Sequence, residues 1–404
     1  MVTVFVNTRP GVFAPVEVDP TSGGVTSVGA QTGDITLDGG DLSSTVLAVP
    51  RYDAAQSLSD AQKNQVRSNL GLHALGGTAC GFKNVLINPE GQYNQRAVGS
   101  GAATDDTYAH DRHYVLTQSA GITPSTLTDV ADGYPYMMRI SQANASAQRM
   151  GVAQIVESAV GKHFRGKKAT LSGTLRFSTA AAVRYAILSW TGTADSVTSD
   201  VVNDWTSSTY TAGNFFLASN LTVEAVGTIT PSANTLTSFS VTTTGNVSSS
   251  MNNLIVFIWT EGTAAQNVTL DFRWQLEVGS AATEFERRPF EQQLCWRYCR
   301  KWLFSTSATI AQFSVYIGGT ESYGKAIELS VPMFTTPTVS VSSVGHFAIS
   351  ASSNQFCSSM PFAGSTPEMI GGSVFSSAAH GSAGQCSVLS AASSSAWIMA
   401  VAEL

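Results

Sequence analysis

The stretch from Leu270 to Glu277 constrains this chain more than any other. Leu270, Phe272, Trp274 and Leu276 alternate with Asp271, Arg273, Gln275 and Glu277. That is the period-two signature of a half-buried β-strand. Similar strand-like runs lie near 168–176, 183–190, 214–226, 238–243 and 254–259, separated by turn clusters such as 191–194 and 244–246. Several short strands with no helical pattern between them imply an antiparallel sandwich. Residues 84–290 therefore read as one β-rich domain. Within it, 152–160 fits either a strand pair or a short helix.

The chemistry changes just past this strand. Residues 279–282 are small and turn-like, and 284–289 carries four charges in a chain only 12% charged. Leu294, Tyr298 and Trp302 then recur every four residues, as on one face of a short helix. A charged link thus closes one domain and a helix opens the next. Residues 303–404 read as a second all-β unit, with strands near 309–317, 326–331, 338–341, 346–350 and 395–401. From 305 to 404 there is one basic residue, Lys325, and four acids, Glu321, Glu328, Glu368 and Glu403. Residues 352–395 are mostly Ser, Ala and Gly with scattered aromatics, the composition of long surface loops.

Upstream, Val2, Val4 and Val6 alternate before Pro10, Pro15 and Pro20 interrupt. This predicts a strand and an extended arm that either orders on a partner or stays loose. Val25, Val28, Ile35 and Leu37 flank a predicted turn at 31–34, a hairpin too small to stand alone. Residues 57–72 are the best helix, capped by Ser57 or Ser59 and ended by Gly71. Its face is mostly polar, so it suits a three-helix collar with Leu58, Val66 and Leu70 as apolar contacts.

Composition excludes several classes. Net charge is −6, so nothing draws the chain to nucleic acid. The longest apolar run, 254–259, is far too short to cross a bilayer, and no secretory signal is expected. Five cysteines, an odd number without a dense framework, argue against a disulfide scaffold and for a reducing cytoplasm.

Catalytic and metal constellations are thin. Glycoside hydrolysis needs paired carboxylates, and Asp105, Asp106 and Asp111, or Asp195, Asp200 and Asp204, are the candidates. Both sets sit in turn-like stretches where surface acids are the default. His110 and His113 beside Asp105, Asp106 and Asp111 offer metal donors, yet Asp111–Arg112 reads better as an ion pair. The oxygens of 104–106 supply few of the 6–8 that calcium takes. Cys295 and Cys299 lie four apart on the expected helix with no second zinc-spaced pair. No cofactor, metal or enzymatic activity is expected.

Binding remains. A sugar site needs a flat aromatic face with short polar groups around it. The candidates are Tyr323, Phe356 and Phe362 with Asn354, Gln355 and His380 in the last hundred residues, and Trp190 and Trp205 in the sandwich. Phe347 alternates with Ala348 and Ile349 and is expected in the core; Phe356, Phe362 and His380 are expected to be exposed.

Four stretches in order resemble tail-fibre and receptor-binding proteins of tailed bacteriophages. They are GVTSVGAQTGDITL (24–37), LSDAQKNQVRSNLGL (58–72), the elements NVLINPEGQYNQRAVG and YAHDRHYV within 84–115, and QLEVGSAATEFERRPFEQQLCWRYCRKW (275–302). In the last, Gln275, Leu276, Glu277, Gly279, Ala282, Thr283, Phe285, Glu286, Arg288, Glu291, Cys295, Arg297 and Tyr298 match the junction such fibres place between a sandwich and a distal tip. Tyr93, Ala97 and His113 depart from the pattern. The resemblance implies an all-β parallel homotrimer. Its parts would be a virion-anchoring arm over 1–22 (Val4, Val6, Pro10, Pro15), a hairpin and collar over 23–83, a jelly roll of carbohydrate-binding-module type over 84–290, and a β-sandwich tip over 291–404. It implies a virion tail component, assembled in the bacterial cytoplasm, that docks on a tail or baseplate protein. The tip would bind a host surface glycan or outer-membrane protein. A polysaccharide-degrading tailspike and a structural head fibre or baseplate spacer are the alternatives.

Overall fold

The computed structural model of the protein describes residues 82–404 apart from 98–102, 129, 131, 143–147, 198–200, 206–209, 211–214, 218, 262–266 and 316–318, together with the backbone of four strands between 2 and 35. The chain forms two compact units, 1–74 and 75–404.

In the first unit, β1 (Val2–Arg9), β2 (Val12–Val18), β3 (Val25–Val28) and β4 (Gln31–Ile35) form one antiparallel sheet in sequence order. The expected arm is thus a paired hairpin: Val4 faces Val16, Val6 faces Ala14 and Phe5 faces Pro15. The second hairpin is present, but its reversal is displaced. Val28 pairs with Gln31, so the predicted turn at 31–34 belongs to β4. Pro10 and the expected helix over 57–72 lie outside the described residues.

The second unit begins with a two-sheet antiparallel sandwich. One sheet has the order β13 (Thr237–Thr242), β10 (Ala169–Phe177), β15 (Val268–Val278), β8 (Tyr136–Gln142), β7 (Thr123–Thr128). The other runs β12 (Leu221–Ile229), β11 (Val183–Trp190), β14 (Asn253–Thr260), β9 (Met150–Ile155), β6 (Tyr114–Thr117), β5 (Thr107–Tyr108). From β8 onward the chain changes sheet at nearly every strand, the connectivity of a jelly roll. Leu171, Leu175, Phe272, Trp274, Leu276, Val256 and Ile258 fill the space between the sheets. A second core of Trp190, Phe215, Phe216, Phe257 and Trp259 covers the outside of the six-stranded sheet. The ambiguous 152–160 resolves into the end of β9 and a single-turn helix, α1 (Ser158–Gly161).

β15 is not half-buried, as its alternation suggested. Its polar residues are as buried as its apolar ones, because other chain segments cover them.

The tip differs from expectation in two ways. Helix α2 (Glu291–Trp296) stops early, and Cys299 to Leu303 is an edge strand, β16, so Leu294, Tyr298 and Trp302 do not share a helix. β16 pairs with β24 (Trp397–Val401), which pairs with β19 (Thr338–Val341). The expected β-sandwich is instead a closed six-stranded barrel beside this three-stranded sheet. Around the barrel run β17 (Thr309–Val315), β18 (Glu321–Glu328), β22 (Met369–Ser376), β21 (Asn354–Ser359), β20 (Phe347–Ser350) and β23 (Cys386–Ala391). β17 bonds to both β18 and β23, and that closes the ring. The Ser-rich 352–395 is therefore not a set of loops; it supplies three barrel strands. One core joins Phe313, Phe347, Ile349 and Leu389 of the barrel to Ile398 and Ala400 of the sheet.

Candidate functional site

The outer face of the five-stranded sheet carries the candidate site. Leu171, Leu175 and Phe177 of β10 point into the core, so Ser172, Thr174 and Arg176 face outward. The register sets Ser172 opposite Gln275 and Ser240, and Thr174 opposite Arg273 and Ser238. The floor is thus a row of short hydroxyls beside one guanidinium.

Two separate segments build the walls. Past β15 the chain folds back over its own sheet, and Gln275 and Glu277 hold it there. Gln275 accepts a bond from the Glu286 amide at 2.8 Å. Glu277 accepts from the Thr283 amide and hydroxyl, both at 2.8 Å. This clasp sets the Phe285 ring over the sheet. The second wall precedes β8: Asp132 pairs with Arg273, and the Arg273 guanidinium lies 4.1 Å from the Tyr134 ring centre and 5.7 Å from that of Phe285. The rings of Tyr134 and Phe285 meet edge to face at 5.4 Å. Burial would raise Asp132, but bonding to Arg273 outweighs it and holds the carboxyl below its usual range. Between the walls lies a cavity of about 350 Å³, lined among others by Tyr134, Ser172, Thr174, Ser238, Arg273 and Phe285. Its size is at the small end of ligand pockets, ~300–1,000 Å³. Ser238 and Ser240 are open to solvent. Two aromatic edges, a hydroxyl floor and a locked cation can pack against a sugar ring and exchange hydrogen bonds with its hydroxyls.

The anticipated residues fall elsewhere and do not converge. Trp190 is buried in the outer core, its Nε1 donating to the Thr193 carbonyl at 3.0 Å. Trp205 is half-buried, edge-on to Phe215 and Phe257. In the tip, His380 is fully buried, against expectation. Its ring bonds Ser322 and Ser376 at 2.8 Å each, and burial lowers its pKa. Phe362 is half-buried against the tip core rather than exposed. Phe356 and Tyr323 are 63% and 55% exposed. They are far apart, because Tyr323 pairs with Ser373 while Cys357, next to Phe356, pairs with Ser376. Asn354 is exposed and Gln355 half-buried.

Several of the carboxylate and metal candidates are tied up in the scaffold, while Asp106 is exposed and Asp200 lies outside the described residues. Asp195 accepts from Ser158 and Asn253, and Asp105 from the Thr117 amide. Asp111 and Arg112 are both ion-paired, though not to each other: Asp111 faces Arg96, and Arg112 faces Glu403. His110 and His113 are buried, bonded to Thr126 and to Gln154 and Trp274. Cys295 ends up in α2 and Cys299 in β16, both buried; burial pushes the Cys299 thiol up to about 12. Among the described residues no three His, Cys, Asp or Glu side chains gather as metal ligands.

No protein-family model matches the sequence, and no curated protein matches it. Solved structures that part of this chain is similar to include the carbohydrate-binding module TmCBM61 in complex with β-1,4-galactotriose. It is 8% identical, with a TM-score of 0.28 over 49% of this chain and 100% of that one. Another is the enzymatically active domain of tailspike protein 4 of bacteriophage CBA120, at 9% identity and a TM-score of 0.29 over 48% of this chain and 21% of that one. A third is a CBM22-1–GH10 xylanase fragment from Clostridium thermocellum complexed with xylohexaose, at 10%, 0.29, 49% and 29%. Likenesses this loose leave the site to be read from its own residues.

Proposed function

We propose that the protein is a non-enzymatic adhesin that binds glycan in the cleft on the outer face of its five-stranded sheet. The observation that carries this reading is the pairing of Tyr134 and Phe285 above a floor of Ser172, Thr174, Ser238 and Ser240. A hydrolase needs a carboxylic acid held protonated. Two acids stand at this cleft, Glu284 in its lining and Asp132 at its wall, and Asp132 is pinned by Arg273 in the opposite sense. The sequence resemblance favours a bacteriophage tail fibre, trimeric and anchored through its N-terminal strands, in which three weak sites reinforce one another.

The test is binding of the purified protein to an array of bacterial surface oligosaccharides. Tyr134→Ala or Phe285→Ala should weaken binding at least about tenfold, as expected for a central aromatic contact. Reducing-sugar release by the purified protein would overturn the non-enzymatic reading. A monomer mass by light scattering at micromolar concentration would overturn the trimer.

A second reading puts recognition on the tip, where Phe356 and Tyr323 are the most exposed aromatic rings among the tip's described residues. With a single basic residue after Ser305, binding there should depend little on salt. Exchange of 303–404 between related fibres should then move adsorption to the other host; adsorption that instead follows 84–290 assigns it to the cleft.

A further inference from the structure

One register step along the same strands from the cleft floor, the charges do not cancel. Arg139 of β8 and Arg176 of β10 both face Asp271 of β15 across the sheet. Arg139 donates to both carboxylate oxygens, its Nη2 bond measuring 2.9 Å; Arg176 donates to Oδ2 through Nε at 2.9 Å and Nη2 at 2.7 Å. Asp271 is buried, while the side chains of Arg139 and Arg176 remain 30% and 27% exposed. One carboxylate thus holds two guanidiniums, and one positive charge is left over. The cleft's own cation differs: Arg273 is 3% exposed and matched by Asp132. Among the described residues, no other carboxylate bonds or pairs with Arg139 or Arg176.

The spacing connects the two features. Thr174 and Arg176 are alternate residues on one face of β10, as are Arg273 and Asp271 on β15, so the cationic pair sits roughly 7 Å from the cleft floor. That is within one sugar unit of a ring held by Tyr134 and Phe285. Guanidiniums fixed by a buried carboxylate keep free N–H groups for an outside oxyanion and lose little rotamer freedom on binding it.

We propose that the cleft selects acidic glycans: a neutral ring packs at Tyr134 and Phe285 while the anionic group of the neighbouring sugar, a carboxylate or a phosphate or sulfate ester, is held by Arg139 and Arg176. This rests on the cleft being the glycan site. It predicts strong salt dependence, unlike a site on the tip.

The test uses the full-length protein on an array of uronate-containing, sialylated, phosphorylated, sulfated and neutral oligosaccharides. Acidic glycans should bind about tenfold or more tightly than neutral ones, the ratio expected of one charge-assisted bond. Methyl esterification of a carboxylated hit, or enzymatic removal of the phosphate or sulfate from an ester-bearing one, should erase the advantage and so tell the two sources apart; an advantage that survives loss of the anion would overturn the inference. The advantage should also fall between about 0.01 M and 1 M salt, where the screening length drops from roughly 30 to 3 Å. Arg176→Gln leaves Asp271 paired with Arg139 and the fold intact, and should abolish the preference while keeping residual neutral binding; Arg176→Lys should restore part of it. Arg139→Gln checks the result from the other side, with melting curves to confirm folding. Equal binding of neutral and acidic glycans that is lost in Tyr134→Ala would overturn this inference and leave the glycan site standing. No binding to any glycan, or binding indifferent to Tyr134→Ala, would overturn the site and the inference together.

Discussion

His110 and His113 show how single buried groups set the response to acid. Burial pushes both imidazoles down, His110 to about 4 and His113 to about 3. In the unfolded chain they protonate near 6.5. Between those values the unfolded state binds more protons, so stability falls as pH falls below about 6.5. Asp111 acts in the opposite sense: burial raises it to about 6 from 3.8, so over that window the folded state binds its proton. Two imidazoles against one carboxyl leave acid as the net destabiliser. The melting temperature should be lower at pH 5 than at pH 7. His110→Gln, which can keep the bond to Thr126, should shrink the difference. A melting temperature flat across this range would show that the imidazoles are not buried and neutral. The cleft residues show what a sequence hides at this scale. Phe285 stood within the stretch that resembles fibre junctions, but Tyr134 lies far upstream in the chain. Only the register of β8, β10 and β15 reveals that both rings frame Arg273.

Strands were legible where they are uniformly apolar or cleanly alternating, as in β11, β14 and β15. β22 was missed because its sequence, MIGGSVFS, interrupts the alternation with glycines. Gly372 there has φ +149°, and a Cβ would approach the Pro361 carbonyl to 2.4 Å, so the residue that obscures the pattern is one the barrel requires. β6 to β8 were missed, and β9 was left open between strand and helix, because buried polar residues, among them Thr117, Gln142 and Gln154, break the apolar count. The polar face of β15 was read as solvent-facing because its partners, Asp132, Arg139, Arg176 and Thr283, come from elsewhere in the chain. β10 carries a sharper test. A Cβ on Gly173 would sit 2.1 Å from the Arg273 carbonyl oxygen and 2.9 Å from the Phe239 ring. Backbone cannot yield as a side-chain tip does, so Gly173→Ala should destabilise the sandwich by roughly 2–3 kcal/mol. Because β10 and β15 form the cleft floor, glycan affinity should fall with it. Denaturant melts that match the parent would mean the two strands are not paired in this register.

At the scale of the second unit, the sandwich and the barrel domain are joined by buried charge. Glu403, just past β24, accepts from Arg96 at 2.8 Å and from Arg112, both in the sandwich. Arg112 is almost fully buried and lies 3.8 Å from the Tyr298 ring centre. The Tyr298 hydroxyl donates to Glu157, which also takes two bonds from Arg297 at 3.0 and 2.9 Å. Gln95 completes the seam, donating to Asp111 at 2.6 Å and to the Cys299 carbonyl at 2.7 Å. Most of these residues belong to the stretches that resemble fibre proteins, and their roles here are mutual. Such a seam ties the sandwich and the barrel domain into one body, so the two should unfold together. Glu403→Gln tests this. It removes the carboxylate that pairs with Arg112, whose burial gives it no access to water as a substitute partner. Breaking a buried pair from one side costs roughly 3–5 kcal/mol. Calorimetry of 75–404, the compact second unit, should show one transition for the parent. The variant should show two, with the barrel domain melting first because its contact with the sandwich has been cut. Glu157→Gln should be milder, since Arg297 is 37% exposed and can turn to solvent. If Glu403→Gln leaves a single transition at the parent temperature, apolar packing alone joins the two domains and the charge seam does not couple them.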